Sequence, residues 1–229
     1  MTTANSTADS TREILGRVGA VRIVPVIVID DAADAVPLAA ALTEGGLSCA
    51  EITFRTAAAP EALRRITAEY PGMLAGAGTV LTPRQAQEAR AAGAQFIVAP
   101  GFGPAVVDYC LEHEIPVYPG VCTPTEIEMA LGKGLDVLKF FPAEPIGGLG
   151  YLKAIAAPYP TTRFIPTGGI NLGSVSRYLA WDRVVACGGS WMAPMEWIAS
   201  RQFERIRDEA RRATALAREL TTGTTLGAE

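Results

Sequence analysis

Lys139 stands in the run Asp136-Val-Leu-Lys-Phe-Phe-Pro142, with apolar neighbours on both sides. The chain of 229 residues carries its positive charge on 17 arginines and only three lysines, Lys133, Lys139 and Lys153. A strand lysine in a chain that otherwise uses arginine suggests a need for an amine. A guanidinium stays protonated, whereas a buried lysine sheds its proton readily. The neutral amine is the nucleophile that forms Schiff bases with carbonyl compounds. Lys133 (in LGKGLD) and Lys153 (in GYLKAI) lie in polar, helix-end contexts and read as solvated surface. The single histidine, His113, ends a helical segment in CLEHEIP, so proton transfer falls to a carboxylate. One histidine also makes a multi-histidine metal site impossible.

Alternate residues of a strand share a face. In CAEITF, Glu51, Thr53 and Arg55 fall on one face and Ile52 and Phe54 on the other; in DVLKFF, Lys139 and Phe141 oppose Leu138 and Phe140. A sheet packed against helices turns its apolar face outward, which aims Glu51, Arg55 and Lys139 inward. Such charges are almost never fully buried unless paired. Glu51 is then the acid–base partner of Lys139, or the two form a structural ion pair. Glu51 could equally bridge to Arg55. A guanidinium fork at a strand end suits a carboxylate or phosphate, or simply caps the strand outward.

The elements that place these residues alternate along the chain. Apolar or β-branched runs occur at 22–29, 49–54, 74–80, 95–100, 116–121, 136–141, 163–167 and 183–187. Ala/Leu/Glu/Arg-rich segments of helical spacing lie between them, for example 33–44, 60–69, 83–92, 104–113 and 124–131, and a long terminal helix is expected over 194–220. Thr82-Pro83 and Thr123-Pro124 each put a capping hydroxyl before a proline at the first helical position. Strands alternating with helices imply a parallel sheet. Eight units spaced by roughly 20–27 residues point to an α/β fold, a single (β/α)₈ TIM barrel with an extra N-terminal helix. A doubly wound sheet is the alternative, but the first strand–helix turn, VIDDAAD, lacks its glycine fingerprint.

Gly168-Gly169 follows the seventh strand and Gly188-Gly189-Ser190 the eighth, where such barrels frequently bind phosphate. Backbone N–H groups freed by glycine can approach an oxyanion there. Gly76-Ala77-Gly78-Thr79 keeps side chains small above the third strand, and Thr79 can donate to a substrate.

Composition sets the outer limits. The chain is 49% hydrophobic and 19% charged with a net charge of −4, which argues against a nucleic-acid binder and against disorder. Cys49, Cys110, Cys122 and Cys187 are widely spaced and read as reduced, hence a cytoplasmic protein. Neither a secretory signal nor a membrane span is expected: the apolar run from Ile23 to Ile29 is short and contains Pro25. Polar residues 1–11 and 221–229 read as flexible tails around one domain at 12–220.

The stretches EITFRT (51–56), GAGTVLT (76–82), FIVAPG (96–101), PGVCTPTE (119–126), LKFFPAE (138–144), PTGGI (166–170) and GGSWM (188–192) run in order over about residues 20–198. With them the sequence resembles the class I aldolases that cleave 2-keto-3-deoxy-6-phosphogluconate (KDPG) and 4-hydroxy-2-oxoglutarate (KHG). The resemblance implies Lys139 as the Schiff-base residue and Glu51 as general acid–base, with no metal or organic cofactor expected. It implies that Arg55 and Thr79 hold the carboxylate region of a phosphorylated 2-keto acid, with Phe141 and Thr167 lining the site. Gly168, Gly169, Gly188, Gly189 and Ser190 would take the phosphate, and the assembly would be a homotrimer. A related phosphogalactonate aldolase or a phosphosugar isomerase or epimerase barrel is the competing reading. Two departures stand out: Pro145-Ile146 before Gly147-Gly148, where smaller residues are expected, and a longer N-terminal tail.

Overall fold

The computed structural model describes residues 3–224. Helix α1 (Thr3–Val21) precedes a run of strands and helices. These are β1 (Ile23–Ile27), α2 (Ala35–Glu44), β2 (Cys49–Thr53), α3 (Ala59–Glu69), β3 (Leu74–Gly78), α4 (Pro83–Ala91), β4 (Ile97–Val98), α5 (Pro104–Glu112), β5 (Val117–Tyr118), β6 (Gly120–Val121), α6 (Pro124–Leu131) and β7 (Val137–Phe140). The chain continues through α7 (Gly148–Ala156), β8 (Arg163–Pro166), α8 (Val175–Leu179), β9 (Cys187–Gly189), α9 (Met195–Ala199) and α10 (Phe203–Thr224). Residues 3–11 of the polar N-terminal stretch are thus part of α1, and α10 takes in 221–224; residues 1–2 and 225–229 of the two expected tails lie outside the described residues.

The fold is α/β, with helices around a curled parallel sheet. One six-stranded sheet runs β5-β4-β3-β2-β1-β9, one three-stranded sheet runs β6-β7-β8, and every strand pair is parallel. Two isolated parallel bridges, Phe164 with Val184 and Thr167 with Gly188, link β8 to the β9 segment. Pro119 separates β5 from β6; proline has no N–H for the ladder, although its carbonyl still accepts from Lys139 N at 3.0 Å.

Alternation along these strands divides the apolar residues into two cores. Ile27, Ile52, Ala77, Ile97, Leu138, Phe140 and Phe164 pack outward against the helices. Val24, Cys49, Leu74, Phe96, Val98, Tyr118, Val137, Ile165 and Ala186 form a second, inner cluster, closed from below by Ile14 and Val18 of α1. Burying each such aliphatic side chain contributes about 1.5–3 kcal/mol. Arg17 fastens the same helix by donating to Gln95 Oε1 at 3.1 Å and to the Gly72 carbonyl at 3.0 Å. The extra N-terminal helix is therefore a plug in the floor of the curled sheet.

Two expected elements differ. The last strand is Cys187–Gly189 rather than 183–187, because Val184 turns its N–H back to the Trp181 carbonyl. The terminal helix over 194–220 is two helices, α9 and α10. Arg201 between them adopts φ 55°, and Gln202 N closes on the Trp197 carbonyl at 2.8 Å, ending the first helix. Both threonine caps form: Thr82 accepts from Gln85 N at 3.2 Å, and Thr123 and Glu126 make a reciprocal capping box.

Candidate active site

Lys139 lies on β7 opposite Gly120 and Ile165, and Glu51 on β2 opposite Val26 and Gly76. Both point to the inside of the curled sheet, as the phase of their strands requires. Lys139 Nζ lies 3.3 Å from Glu51 Oε1, with side chains only 5% and 4% exposed. Sheltered from water and salt, such a pair is screened little. The Phe141 ring centroid is 5.3 Å from Nζ and offers its face to the cation.

Glycines on the neighbouring strands make this possible. A Cβ on Gly78 would come within 2.5 Å of Glu51 Cγ and 2.6 Å of its Cδ. The small residues of GAGT therefore make room inside the sheet for the carboxylate. Thr79, just past β3, adopts φ 55°, unusual for a β-branched residue and the kind of local strain that clusters at functional sites. Its Oγ1 accepts from Arg55 Nε at 3.0 Å. Arg55 itself is exposed and lies beyond the end of β2, above the buried pair rather than beside it.

Thr167 is buried at the end of β8 and bridges to Gly188 on β9. That bridge sets Gly168 and Gly169 beside Gly188, Gly189 and Ser190 on adjacent strand ends. Gly168 (φ 104°) and Gly169 (φ 79°) turn left-handed, which glycine alone does without strain. The helices that follow, α8 and α9, have five residues each, so backbone amides rather than a long helix dipole are the polar resource here.

Of the sequence-predicted positions, Glu51, Lys139 and Thr167 line one cavity, Arg55 bonds Thr79, and Thr167 bridges to Gly188. His113 is half-buried at the end of α5, stacked on Tyr109 with Nδ1 2.8 Å from the Tyr109 carbonyl. Lys133 is exposed and pairs with Asp108 at 2.6 Å; Lys153 is exposed over the Trp181 ring. Among the described residues no cluster of His, Cys, Asp and Glu is placed to hold a metal ion.

Sequence reasoning missed the supports. Glu144, inside the PAE motif, donates its N–H to the Gly168 carbonyl at 3.0 Å and packs its side chain under Gly169. Tyr178 and Arg177 donate to its carboxylate. Burial alone would raise that carboxyl, but these two bonds and the Arg177 charge hold it below the usual range. Beneath the pair, Tyr118 and Val18 share a cavity with Lys139, Glu51 and Thr167. Strand parity could have placed Tyr118 inside; nothing in sequence places Val18 there.

Residues 14–208 match the family model described as KDPG and KHG aldolase. A 2-dehydro-3-deoxy-phosphogluconate aldolase of Treponema pallidum is 53% identical over 81% of this chain and 89% of its own length. A KHG/KDPG aldolase of Escherichia coli is 43% identical over 83% of this chain and 90% of its own. A KDPG aldolase of Legionella pneumophila, solved with pyruvate captured as a covalent carbinolamine, superposes with a TM-score of 0.84 at 40% identity, covering 87% of this chain and 97% of that one.

Proposed function

The chain belongs to the KDPG and KHG aldolase family, and on that footing we propose that it is a class I aldolase. It cleaves 2-keto-3-deoxy-6-phosphogluconate to pyruvate and glyceraldehyde 3-phosphate, with 4-hydroxy-2-oxoglutarate as a second substrate giving pyruvate and glyoxylate. The observation that carries the reading is the buried amine–carboxylate pair, Lys139 Nζ to Glu51 Oε1 at 3.3 Å.

Glu51 is within reach to accept the proton that the Lys139 ammonium must lose before it attacks. The neutral amine adds to the C2 carbonyl of the 2-keto acid, Glu51 returns the proton it took to the departing hydroxyl of the carbinolamine, and loss of water leaves an iminium beside an ionised Glu51. Glu51 takes the proton of the C4 hydroxyl. The C3–C4 bond breaks, its electron pair passes to the iminium, and the aldehyde leaves. The resulting enamine is protonated at C3 by the carboxyl group that Glu51 has become. Water then hydrolyses the imine, releasing pyruvate and the amine. Arg55 and Thr79 hold the substrate carboxylate at the rim, Phe141 and Thr167 line its path, and the amides of Gly168, Gly169, Gly188, Gly189 and Ser190 take the phosphate.

In this reading the two sheets are one closed (β/α)₈ barrel, with β5 and β6 a single strand interrupted at Pro119. The β8–β9 bridges and the β1–β9 pairing support that closure, and residues 12–220 form one catalytic domain. The resemblance implies a homotrimer, and exposed Leu81, Met129 and Tyr151 offer apolar surface for contacts between copies. The free cysteines fit a reducing, cytoplasmic setting.

Borohydride added with pyruvate should inactivate the protein and leave a stable adduct on Lys139. The Lys139→Arg variant should be neither trapped nor active; trapping or turnover by that variant overturns the assignment. Pyruvate release from the phosphogluconate, phosphogalactonate and hydroxyoxoglutarate substrates then ranks them.

A further inference from the structure

Tyr118 is only 3% exposed, and its hydroxyl has no hydrogen-bond partner among the described residues. Buried hydroxyls without a partner are costly and rare, and each calls for an explanation. Tyr118 lines the small cavity under the buried pair, together with Glu51, Lys139 and Thr167 and the apolar side chains of Val18, Val24, Phe96, Val98 and Ile165. The free space there is about 10 Å³, close to what one water centre needs, and a buried water needs two to four polar partners. Four polar side chains border this cavity. Glu51 engages Lys139 through Oε1, so Oε2 remains to accept. The Thr167 hydroxyl has only a long 3.4 Å bond to the Ile165 carbonyl.

We infer that this cavity is a single-water site, and that Tyr118, bonded to that water, is a positioning residue for the Glu51 carboxylate. The hydroxyl donates to the water, and the water donates to Glu51 from the side away from Lys139. The bridge steadies the carboxylate in the pose from which it moves protons to and from substrate carbon. The inference rests on the aldolase reading for what Glu51 does, and it assigns the floor of the site a part in proton transfer.

The test is exchange of the pyruvate methyl protons with D₂O, followed by NMR, in the full chain and in Tyr118→Phe. That exchange reads enamine protonation without any need for cleavage. Tyr118→Phe should slow exchange about fivefold, the worth of one lost hydrogen bond. The KM for pyruvate and the rate of borohydride trapping should stay as in the parent, and the melting temperature should hold or fall. Parental exchange combined with a raised melting temperature would overturn the inference, since deleting a truly orphaned hydroxyl relieves a penalty. Val18→Ile gives an independent arm: its extra methylene fills the water's space, so it should slow exchange while Tyr118 remains. A Val18→Ile protein that is more stable and exchanges at the parental rate marks the cavity as an empty void. Failure of the parent itself to exchange or be trapped would instead sink the aldolase reading.

Discussion

Gly78→Ala adds one methyl group and should cost the enzyme most of its turnover. Gly78 faces inward on β3, opposite Thr53, and its φ lies outside the left-handed region, so alanine meets no backbone penalty there. The obstacle is Glu51. The new Cβ would lie 2.5 Å from Cγ and 2.6 Å from Cδ of that side chain, against the roughly 3.5–4.0 Å of ordinary carbon contact. Since the clash includes Cγ, rotating the carboxylate alone cannot relieve it, and the whole side chain must shift by about 1 Å. A displacement of that size can cost on the order of 100-fold in rate. Overpacking of this kind destabilises by about 1–3 kcal/mol, which for a domain of this size lowers the melting temperature by about 2–4 °C per kcal/mol. The assay is kcat on the phosphogluconate substrate beside calorimetry, with Gly76→Ala as the control. That methyl group would press first into the Phe96 ring, so the packing is strained with Phe96 rather than the Glu51 side chain as the nearest obstacle. Expected is a kcat for Gly78→Ala at least tenfold below that of Gly76→Ala at similar melting temperatures. Equal kcat losses would refute the steric argument and leave Gly78 a packing residue only.

Thr79→Gly removes both a left-handed β-branched residue and the hydroxyl that accepts from Arg55. Chemical denaturation should find no loss of stability, as relief of about 1–2 kcal/mol of strain offsets the flexibility gained, while KM for the 2-keto acid rises about tenfold. Burial, with the Glu51 charge adding to it, pushes the Cys49 thiol up to about 12, and burial does the same for Cys110. Iodoacetamide at pH 8 should leave both unmodified by mass spectrometry in the native protein, and rapid native labelling of either would contradict the packing. At Glu126, burial would raise the carboxyl, but bonds from Cys122 and Thr123 outweigh it and hold it below its usual 4.5. The folded value is thus the lower one, so its stabilisation is complete above that pH and fades as pH falls through the folded value. Glu126→Ala should cost about 1 kcal/mol at pH 7, and denaturant midpoints of the two proteins should converge in acid.

Much of this was legible from parity alone. Ile52, Leu138 and Phe140 could only face helices, so Glu51 and Lys139 had to face each other's side of the sheet, and they do. The threonine–proline pairs fixed two helix starts because their chemistry is local. What escaped depends on contacts between distant segments. Val184 reads as a strand residue until the Trp181 carbonyl captures its N–H, and no pattern in 194–220 announces the left-handed Arg201. Arg55 shares a face with Glu51 on paper, yet the strand ends at Thr53 and leaves it exposed at the rim. The role of Gly78 rests on the Glu51 side chain reaching over from its own partner Gly76, a matter of inter-strand register that one sequence does not reveal.

The inner face of the sheet explains why these glycines stand in strands at all. Gly76, Gly78 and Gly188 point inward near the carboxyl ends, and a Cβ at each would strike Phe96, Glu51 or Thr167. Glycine in a strand costs roughly 0.5–1 kcal/mol relative to alanine, so the three together weaken the sheet by a few kcal/mol. The outer core offsets that loss with fully buried Ile27, Leu38, Ile52, Leu63, Phe140 and Phe164, each contributing about 1.5–3 kcal/mol. The floor is sealed differently, by Ile14 and Val18 of a helix that precedes the first strand. Stability thus comes from the outer face and from below. The upper inner face can then hold what a packed core would exclude: an amine, a carboxylate and the space for a substrate to reach them.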